Sequence, residues 1–368
     1  LRDITVVLLC AGSASRFKKR VKKQWLRIGH KPLWQKVEDD FKAYGFRDII
    51  IVANKKDFNY MQKLTNSKVI IGGNTRQESL KNALDFVQSQ RVLVSDAARC
   101  CFDGAMMDRI LSAKGDCIVP ALSISDTVYY DGTPIEREKL KIIQTPQLSY
   151  TALLQKALQS DTQYTDDSSA MYAMGANVVF VEGSAKAHKL THIEDITKLE
   201  CLQPPSSRVM TGIGFDTHSF EVGKKMVLCG VEIESEVGFK AHSDGDVAIH
   251  AIIDALLGAC GMGDIGELYP DSDEEFQGVD SKILLADTIS RIYSCGFEMK
   301  NLDITIIAQK PKLKEYKPKM QKVLQEITGC EFINIKATTT EGMGYIGRCE
   351  GVAAQAVATV GFYRWDKE

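Results

Sequence analysis

Six short apolar runs, interleaved with stretches of helical periodicity, fill the first half of the chain and set the terms on which it can fold. The runs are 4–10, 49–53, 68–71, 92–95, 117–120 and 178–181. They are continuously apolar rather than alternating, as strands buried on both faces must be. Helical periodicity occupies 75–89, 104–113, 150–159 and 167–174. Strand and helix in alternation predict a largely parallel, Rossmann-like α/β sheet with helices on both faces. Ligands of such sheets collect beyond the carboxyl ends of the strands.

The pattern breaks at Gln203-Pro204-Pro205-Ser206-Ser207-Arg208, a short Pro-rich polar segment. Beyond it, helices are expected at 244–260, 281–295 and 314–328, and strands from 209 and at 226–228, 301–308, 333–337 and 352–363. Their less regular order reads as α+β. The expected organisation is a first domain 1–202, a linker 203–208 and a second domain 209–368; a length of 368 residues suits two cores. A net charge of −2, from 46 basic and 48 acidic residues, gives no global field for nucleic acid or membrane. No apolar run reaches membrane-spanning length, and no leader is expected before the first strand. The ten cysteines form no Cys-x-x-Cys pair. They read as reduced, mostly buried thiols of a cytoplasmic protein.

Three of the six histidines fall between Asp216 and His250. On an extended strand Asp216 and His218 point to one face. On a helix Asp246 and His250 also share a face. Strand and helix together can offer one carboxylate and two imidazoles to one point. Such a set suits a catalytic zinc, or a similar divalent transition metal, with an open fourth position. The plainer alternative is a pair of capping aspartates beside partly buried histidines.

The first strand ends in Cys10-Ala11-Gly12-Ser13-Ala14-Ser15-Arg16, small residues that let backbone N–H groups approach phosphate. Lys18, Lys19, Arg20, Lys22, Lys23 and Arg27 follow with no acid between Ile4 and Val37. They form either a solvated basic face or a loop that closes on a polyphosphate. Gly72-Gly73 with Arg76 and Ser79 is a turn feeding a helix, and Asp96 stands just past a strand, a common place for a Mg²⁺ ligand. Helix capping would explain either one equally well.

These pieces, taken in order, resemble the 2-C-methyl-D-erythritol 4-phosphate cytidylyltransferase family. The match rests on Ala11-Gly12 through Arg16, Lys23-Gln24-Trp25-Leu26, Gly72-Gly73 with Arg76 and Ser79, and Asp96-Ala97-Ala98-Arg99. It continues through Asp126-Thr127, Thr145-Pro146-Gln147, Thr165-Asp166-Asp167 and Lys189 before Ile193-Glu194-Asp195, over nearly all of 4–200. The resemblance implies transfer of CMP from CTP to the sugar 4-phosphate. By resemblance, Arg16 and Lys23 stabilise the charge-rich phosphorus, Ala11 and Gly12 hold the triphosphate, and Asp96 helps place Mg²⁺ or Mn²⁺. Gly72, Gly73 and Ser79 line the cytosine pocket, while Thr127, Arg137 and Lys189 hold the sugar phosphate for in-line attack. The sequence departs from the family pattern at Cys10, at Ala14, where glycine is usual, and at Ser95 and Cys100.

Residues 209–363 resemble the 2-C-methyl-D-erythritol 2,4-cyclodiphosphate synthase family. The carrying motifs are Ala241-His242-Ser243-Asp244-Gly245-Asp246 and Lys336-Ala337-Thr338-Thr339-Thr340-Glu341. The implied reaction closes a cyclic diphosphate and expels CMP. By resemblance Asp216, His218 and His250 bind zinc, and Glu341 holds Mg²⁺ or Mn²⁺ on the nucleotide phosphates. His242 and Thr339 stabilise the transition state. Ser243, Asp264, Ile265 and Gly266 lie at the substrate, with Asp264 on the erythritol hydroxyls. Ala308 to Lys312 and Thr338 hold the cytidine diphosphate end, and Thr340 also lies at the substrate. Tyr345 and Arg348 match positions near the central channel of a homotrimer, and Gln355 stands where some members carry a Glu able to pair with that Arg. The whole implies a homotrimer or a dimer of trimers acting on CTP and methylerythritol phosphate derivatives, with a separate kinase between the two steps.

Two rivals share some of these features. A metallophosphoesterase also begins with Asp-x-His but needs a later Gly-Asn-His, which is absent. A non-catalytic scaffold with a structural zinc would need a fourth protein ligand, for which Asp246 is the candidate.

Overall fold

In the computed structural model, which describes every residue except Arg2, His242, Ser243, Asp271, Glu274, Glu275, Gln277 and Glu368, the chain divides into two units, Leu1–Pro204 and Pro205–Glu368.

The first unit is built around the strand Ile4–Leu9, whose Val6, Val7 and Leu8 are fully buried. It pairs in parallel with Asp48–Ala53 on one side and Arg91–Asp96 on the other. Lys68–Ile71 extends one edge, also in parallel. This agrees with the expected Rossmann-like sheet. The sheet departs from pure parallel order where Gln147–Tyr150 inserts antiparallel between Arg91–Asp96 and Cys117–Ser123. That strand was not expected: its four residues sit directly before the helix Thr151–Ala157, and the helical pattern masks them. The amphipathic helix Leu33–Tyr44 and the hairpin Val128–Tyr130/Thr133–Ile135 were not expected either.

Cys101 and Cys201 are joined by a disulfide with their Cα atoms 5.5 Å apart. This corrects the expectation of ten reduced thiols. The pairing is invisible in the sequence because the partners are 100 residues apart. The other eight cysteines lie outside this disulfide, and Cys349 alone among them is exposed.

In the second unit five strands form one sheet in the order Val237–Phe239, Val209–Val222, Gly351–Phe362, Phe297–Ile307, Ile333–Thr338. All pairs are antiparallel except the last. The helix Val247–Cys260 lies on this sheet and buries eleven of its fourteen residues. A helix apolar on nearly every side belongs inside a core. Each fully buried Ile or Leu there contributes about 1.5–3 kcal/mol. Gly212 and Gly214 let it approach: a Cβ on Gly214 would stand 1.9 Å from the Ala251 carbonyl oxygen, and one on Gly212 2.1 Å from that of Ala255. No helix among the described residues is long and apolar enough to cross a membrane.

Candidate active sites

The carboxyl ends of Ile4–Leu9, Asp48–Ala53 and Arg91–Asp96 open onto a cleft of about 490 Å³. Ala11, Gly12, Arg16, Lys23, Gly73, Ser79, Asp96 and Lys189 line it. Gly72 supports it from behind, since a Cβ there would stand 2.7 Å from Ser79 Oγ. Ser79 Oγ accepts from the Gly73 amide at 3.1 Å, which fixes the glycine turn. Glu78 crowds Gly73 so closely that a Cβ would lie 2.3 Å from the glutamate's own.

The basic loop is held rather than loose. Lys22 Nζ donates to both carboxylate oxygens of buried Asp57 at 2.8 Å, and Trp25 Nε1 donates to the same group at 3.1 Å. Gln24 Nε2 donates to the carbonyls of Cys10 and Gly12 at 3.0 and 2.9 Å. With its neighbours anchored, Lys23 turns into the cleft and donates to the Leu190 carbonyl at 3.3 Å. Its pKa is lowered by burial first, then by Lys189 and Arg16 nearby.

Asp96 is the electrostatic centre. Lys189 donates to one oxygen at 2.6 Å and Arg76 to the other at 3.3 Å. Burial works against its charge, but Arg76 and Lys189 prevail and hold its pKa at about 2. Arg76 is also clamped on Asp167, at 2.6 and 3.4 Å. Lys189 is presented by a turn that Asp195 organises, accepting from the Thr191 and His192 amides at 2.9 Å. A magnesium ion at Asp96 would compete with Lys189 for a carboxylate oxygen. Thr127 and Arg137 are exposed and line no part of the cleft: Arg137 sits beyond the hairpin and donates to Glu138 and to the Ser125 carbonyl. The family resemblance groups them with Lys189, whereas within one chain they flank the hairpin away from the cleft. Asp57, Gln24 and Asp167 had no assigned role, because their partners are distant in sequence or are backbone carbonyls.

In the second unit the close strand–helix contact brings three expected ligands together. Asp216 Oδ2 lies 3.0 Å from His218 Nε2 and 3.1 Å from His250 Nδ1. The ligand atoms of all three lie within 4.8 Å of one another. His218 Nδ1 faces the Gly245 carbonyl at 2.8 Å, which leaves Nε2 free to ligate. The outer nitrogen of His250 meets Ser281 Oγ at 3.1 Å, and Asp244 in turn accepts from Ser281. Asp246 is not a fourth ligand. It is fully buried and caps the helix, accepting from the amides of Cys229, Gly230 and Ile249. Burial pushes its pKa up to about 6 against those donors. Among the described residues the cluster therefore offers three ligand atoms and no fourth, a donor set that could hold a divalent metal ion.

Asp264 caps the short helix Ile265–Leu268, and Asp254, one turn beyond His250, accepts from the Ile265 amide at 2.8 Å. Asp264, Ile265 and Gly266 are thus tied to the helix that carries His250. Thr338 to Glu341 are not: Thr338 ends the far edge strand, three strands from Asp216 in the pairing of the sheet. At about 4.8 Å per strand that is roughly 14 Å. There Thr339 Oγ1 donates to Glu341 at 2.6 Å, Thr340 Oγ1 donates to the Met343 carbonyl at 2.7 Å, and Lys312 is exposed. Tyr345 OH accepts from Thr217 at 3.2 Å. Arg348 pairs with Glu350 at 2.7 Å, so its charge is met without a glutamate at Gln355. His242 and Ser243 lie outside the described residues.

Comparison with known proteins matches residues 4–203 to the family described as 2-C-methyl-D-erythritol 4-phosphate cytidylyltransferase and residues 209–361 to the YgbB family. A protein of Sulfurovum sp. named bifunctional enzyme IspD/IspF is 53% identical over all of both chains. One of Campylobacter curvus with the same name is 51% identical over 99% of this chain and all of its own. The solved structure of the bifunctional IspDF from Campylobacter jejuni superposes with a TM-score of 0.89 at 44% identity, covering 99% of this chain and all of that one.

Proposed function

For a chain that belongs to the bifunctional IspD/IspF family, we propose a division of labour in which each unit carries one active site and the residues gathered there do the chemistry. The enzyme transfers CMP from CTP to 2-C-methyl-D-erythritol 4-phosphate with release of pyrophosphate. It also cyclises 4-CDP-2-C-methyl-D-erythritol 2-phosphate to the 2,4-cyclodiphosphate with release of CMP.

In the first site Gly12 and its neighbours hold the triphosphate, while Arg16 and Lys23 offset charge gathering at the α-phosphorus. Gly72, Gly73 and Ser79 receive the cytosine. Asp96 holds Lys189 in place until the sugar phosphate takes over that partner, and Mg²⁺ or Mn²⁺ would share the same carboxylate.

In the second site a bound zinc at Asp216, His218 and His250 would polarise the attacked diphosphate. Asp264 holds the erythritol hydroxyls, and Glu341 would serve a second hard cation on the nucleotide phosphates. The convergence of three ligand atoms within 4.8 Å of one another is the observation that supports this reading. His242, Ser243 and Thr339 are proposed for the transition state and the substrate from the motif.

A homotrimer is the assembly that supports this chemistry. The metal ligands and the Thr338–Glu341 segment are separated within one chain, and a neighbouring subunit can supply the missing half. The outward face of Val209–Val222 carries exposed Val209, Ile213 and Phe215, an apolar stripe suited to such a contact. Tyr345 meets that face through its hydrogen bond with Thr217. Tyr129 and Tyr130, exposed on the hairpin of the first unit, suit a second pairing that would make a dimer of trimers and bring Thr127 and Arg137 to a partner's cleft. A separate kinase acts between the steps, because the first product has a free 2-hydroxyl and the second substrate a 2-phosphate. A cytoplasmic location suits these soluble phosphorylated substrates. The test follows pyrophosphate release from CTP and the sugar phosphate, and separately CMP release from the 2-phosphorylated substrate, with and without a chelator. His218→Ala should abolish only the second. Loss of both, or of neither, would overturn the division.

A further inference from the structure

We propose that Cys101–Cys201 is a redox-reversible staple that tunes the CMP-transfer site. Its two ends follow the two segments that build the charged centre of that site. Cys101 stands five residues after Asp96, and Cys201 closes the tail that follows Lys189. Between them the segments are stitched by a few hydrogen bonds: the Leu190 amide donates to the Ala98 carbonyl at 2.8 Å, and Arg99 donates to the carbonyl of Ala187, just before Lys189, at 2.7 Å. The Lys189–Asp96 contact at 2.6 Å bridges the same two segments. Opening the staple leaves that contact dependent on these hydrogen bonds, on the Lys23–Leu190 contact and on the Asp195 turn.

The bond is reachable from one side. Cys101 is buried, whereas Cys201 is partly exposed. A dithiol attacks Cys201 Sγ, the sulfur–sulfur bond breaks, and Cys101 leaves as a thiolate that takes up a proton. The second thiol of the reductant then releases Cys201 and closes its own disulfide. Two electrons pass from the dithiol to the protein, and a disulfide oxidant reverses the step. Disulfides of proteins in reducing compartments are commonly of this transient kind. Cys100 is a third sulfur within 4.8 Å of the pair. It is almost completely buried, and burial pushes its thiol up to about 11, so it does not compete for the bond at neutral pH.

The effect on activity rests on the proposed role of Lys189 at the sugar phosphate. The full-length enzyme is equilibrated with mixtures of oxidised and reduced dithiothreitol, free thiols are tagged with a maleimide and counted by mass, and both activities are measured. The expected result is a two-thiol transition over which KM for methylerythritol phosphate rises about fivefold on reduction, with cyclisation unchanged. Cys201→Ser should show the reduced-form KM at every poise, and Cys100→Ser should keep the transition. Lys189→Ala tests the sugar-phosphate role separately, by raising that KM whatever the poise. The proposal is overturned if no oxidised species forms at any poise, or if the stapled and open forms transfer CMP with the same KM. It is equally overturned if a stoichiometric zinc is lost in Cys100→Ser as well as in Cys201→Ser, since a metal needs the third sulfur and a staple does not.

Discussion

Gly214→Ala should remove the metal from the cyclase site while leaving the first active site untouched. A Cβ at 214 would stand 1.9 Å from the Ala251 carbonyl oxygen and 2.8 Å from the Ala255 amide nitrogen, both backbone atoms of the helix Val247–Cys260. Real Cβ contacts essentially never fall below 3.0 Å and ordinary contact begins at 3.4 Å, so strand and helix must separate by at least 3.0 − 1.9 = 1.1 Å, and by 3.4 − 1.9 = 1.5 Å to reach ordinary contact. His250 rides on that helix and Asp216 is two residues from the substitution. Metal sites tolerate only about 0.2 Å of error in ligand distance, so a shift of this size opens the cluster. Overpacking of this kind also costs about 1–3 kcal/mol of stability. Gly258→Ala is the control: it lies on the same helix, meets nothing within 4 Å, and should gain about 0.5–1 kcal/mol from the better helix former. The assay is zinc content per chain with CMP release, while pyrophosphate release from the first unit reports that the chain is otherwise intact. A Gly214→Ala enzyme that keeps one zinc per chain and full cyclisation would refute the close-packing argument.

Four further outcomes are expected. Asp57→Asn weakens the anchor of the basic loop, and kcat/KM for CMP transfer should fall about tenfold through misplacement of Lys23, with cyclisation unchanged. Ala14→Gly relieves a non-glycine residue at φ +57°, so urea denaturation of the first unit should shift to higher stability by about 1 kcal/mol. Asp96, held at about 2 against an ordinary 3.8, contributes about 2 kcal/mol; because its folded value is the lower one, that stability is complete above about pH 4 and lost as pH falls through 2, and acid unfolding of Asp96→Asn should lack this component. Phe215→Glu places charge on the exposed stripe and should convert a trimer to monomers by light scattering, with cyclisation lost and CMP transfer kept.

The parts of the account that could be read from sequence are those with local periodicity or family motifs. The strands 4–10 and 49–53 were legible because a parallel sheet demands uninterrupted apolar runs, and the helix carrying His250 because it is apolar almost throughout. Asp216, His218 and His250 were legible because two spacings, one of strand and one of helix, put them on facing surfaces. What set the distance between those surfaces was harder to see. Thr211-Gly212-Ile213-Gly214 carries the signal of close backbone approach, glycine at alternate strand positions, yet glycine in a strand has other causes. Asp246 was misplaced as a possible ligand because helical spacing to His250 says nothing of the amides at Cys229 and Gly230 that its carboxylate serves. Asp57 and the Cys101–Cys201 bond depend on contacts far apart in sequence, and neither leaves a trace in composition or periodicity.

The central claim is that Asp216, His218 and His250 hold a dication whose fourth position belongs to the substrate. Zinc-edge X-ray absorption on the full-length enzyme, before and after addition of cytidine diphosphate, tests it most directly. The account predicts two imidazole nitrogens and one carboxylate oxygen in both states, with a fourth light-atom ligand that changes from water to phosphate oxygen and brings a phosphorus into the second shell. A fourth protein ligand that persists when the nucleotide is added would contradict it.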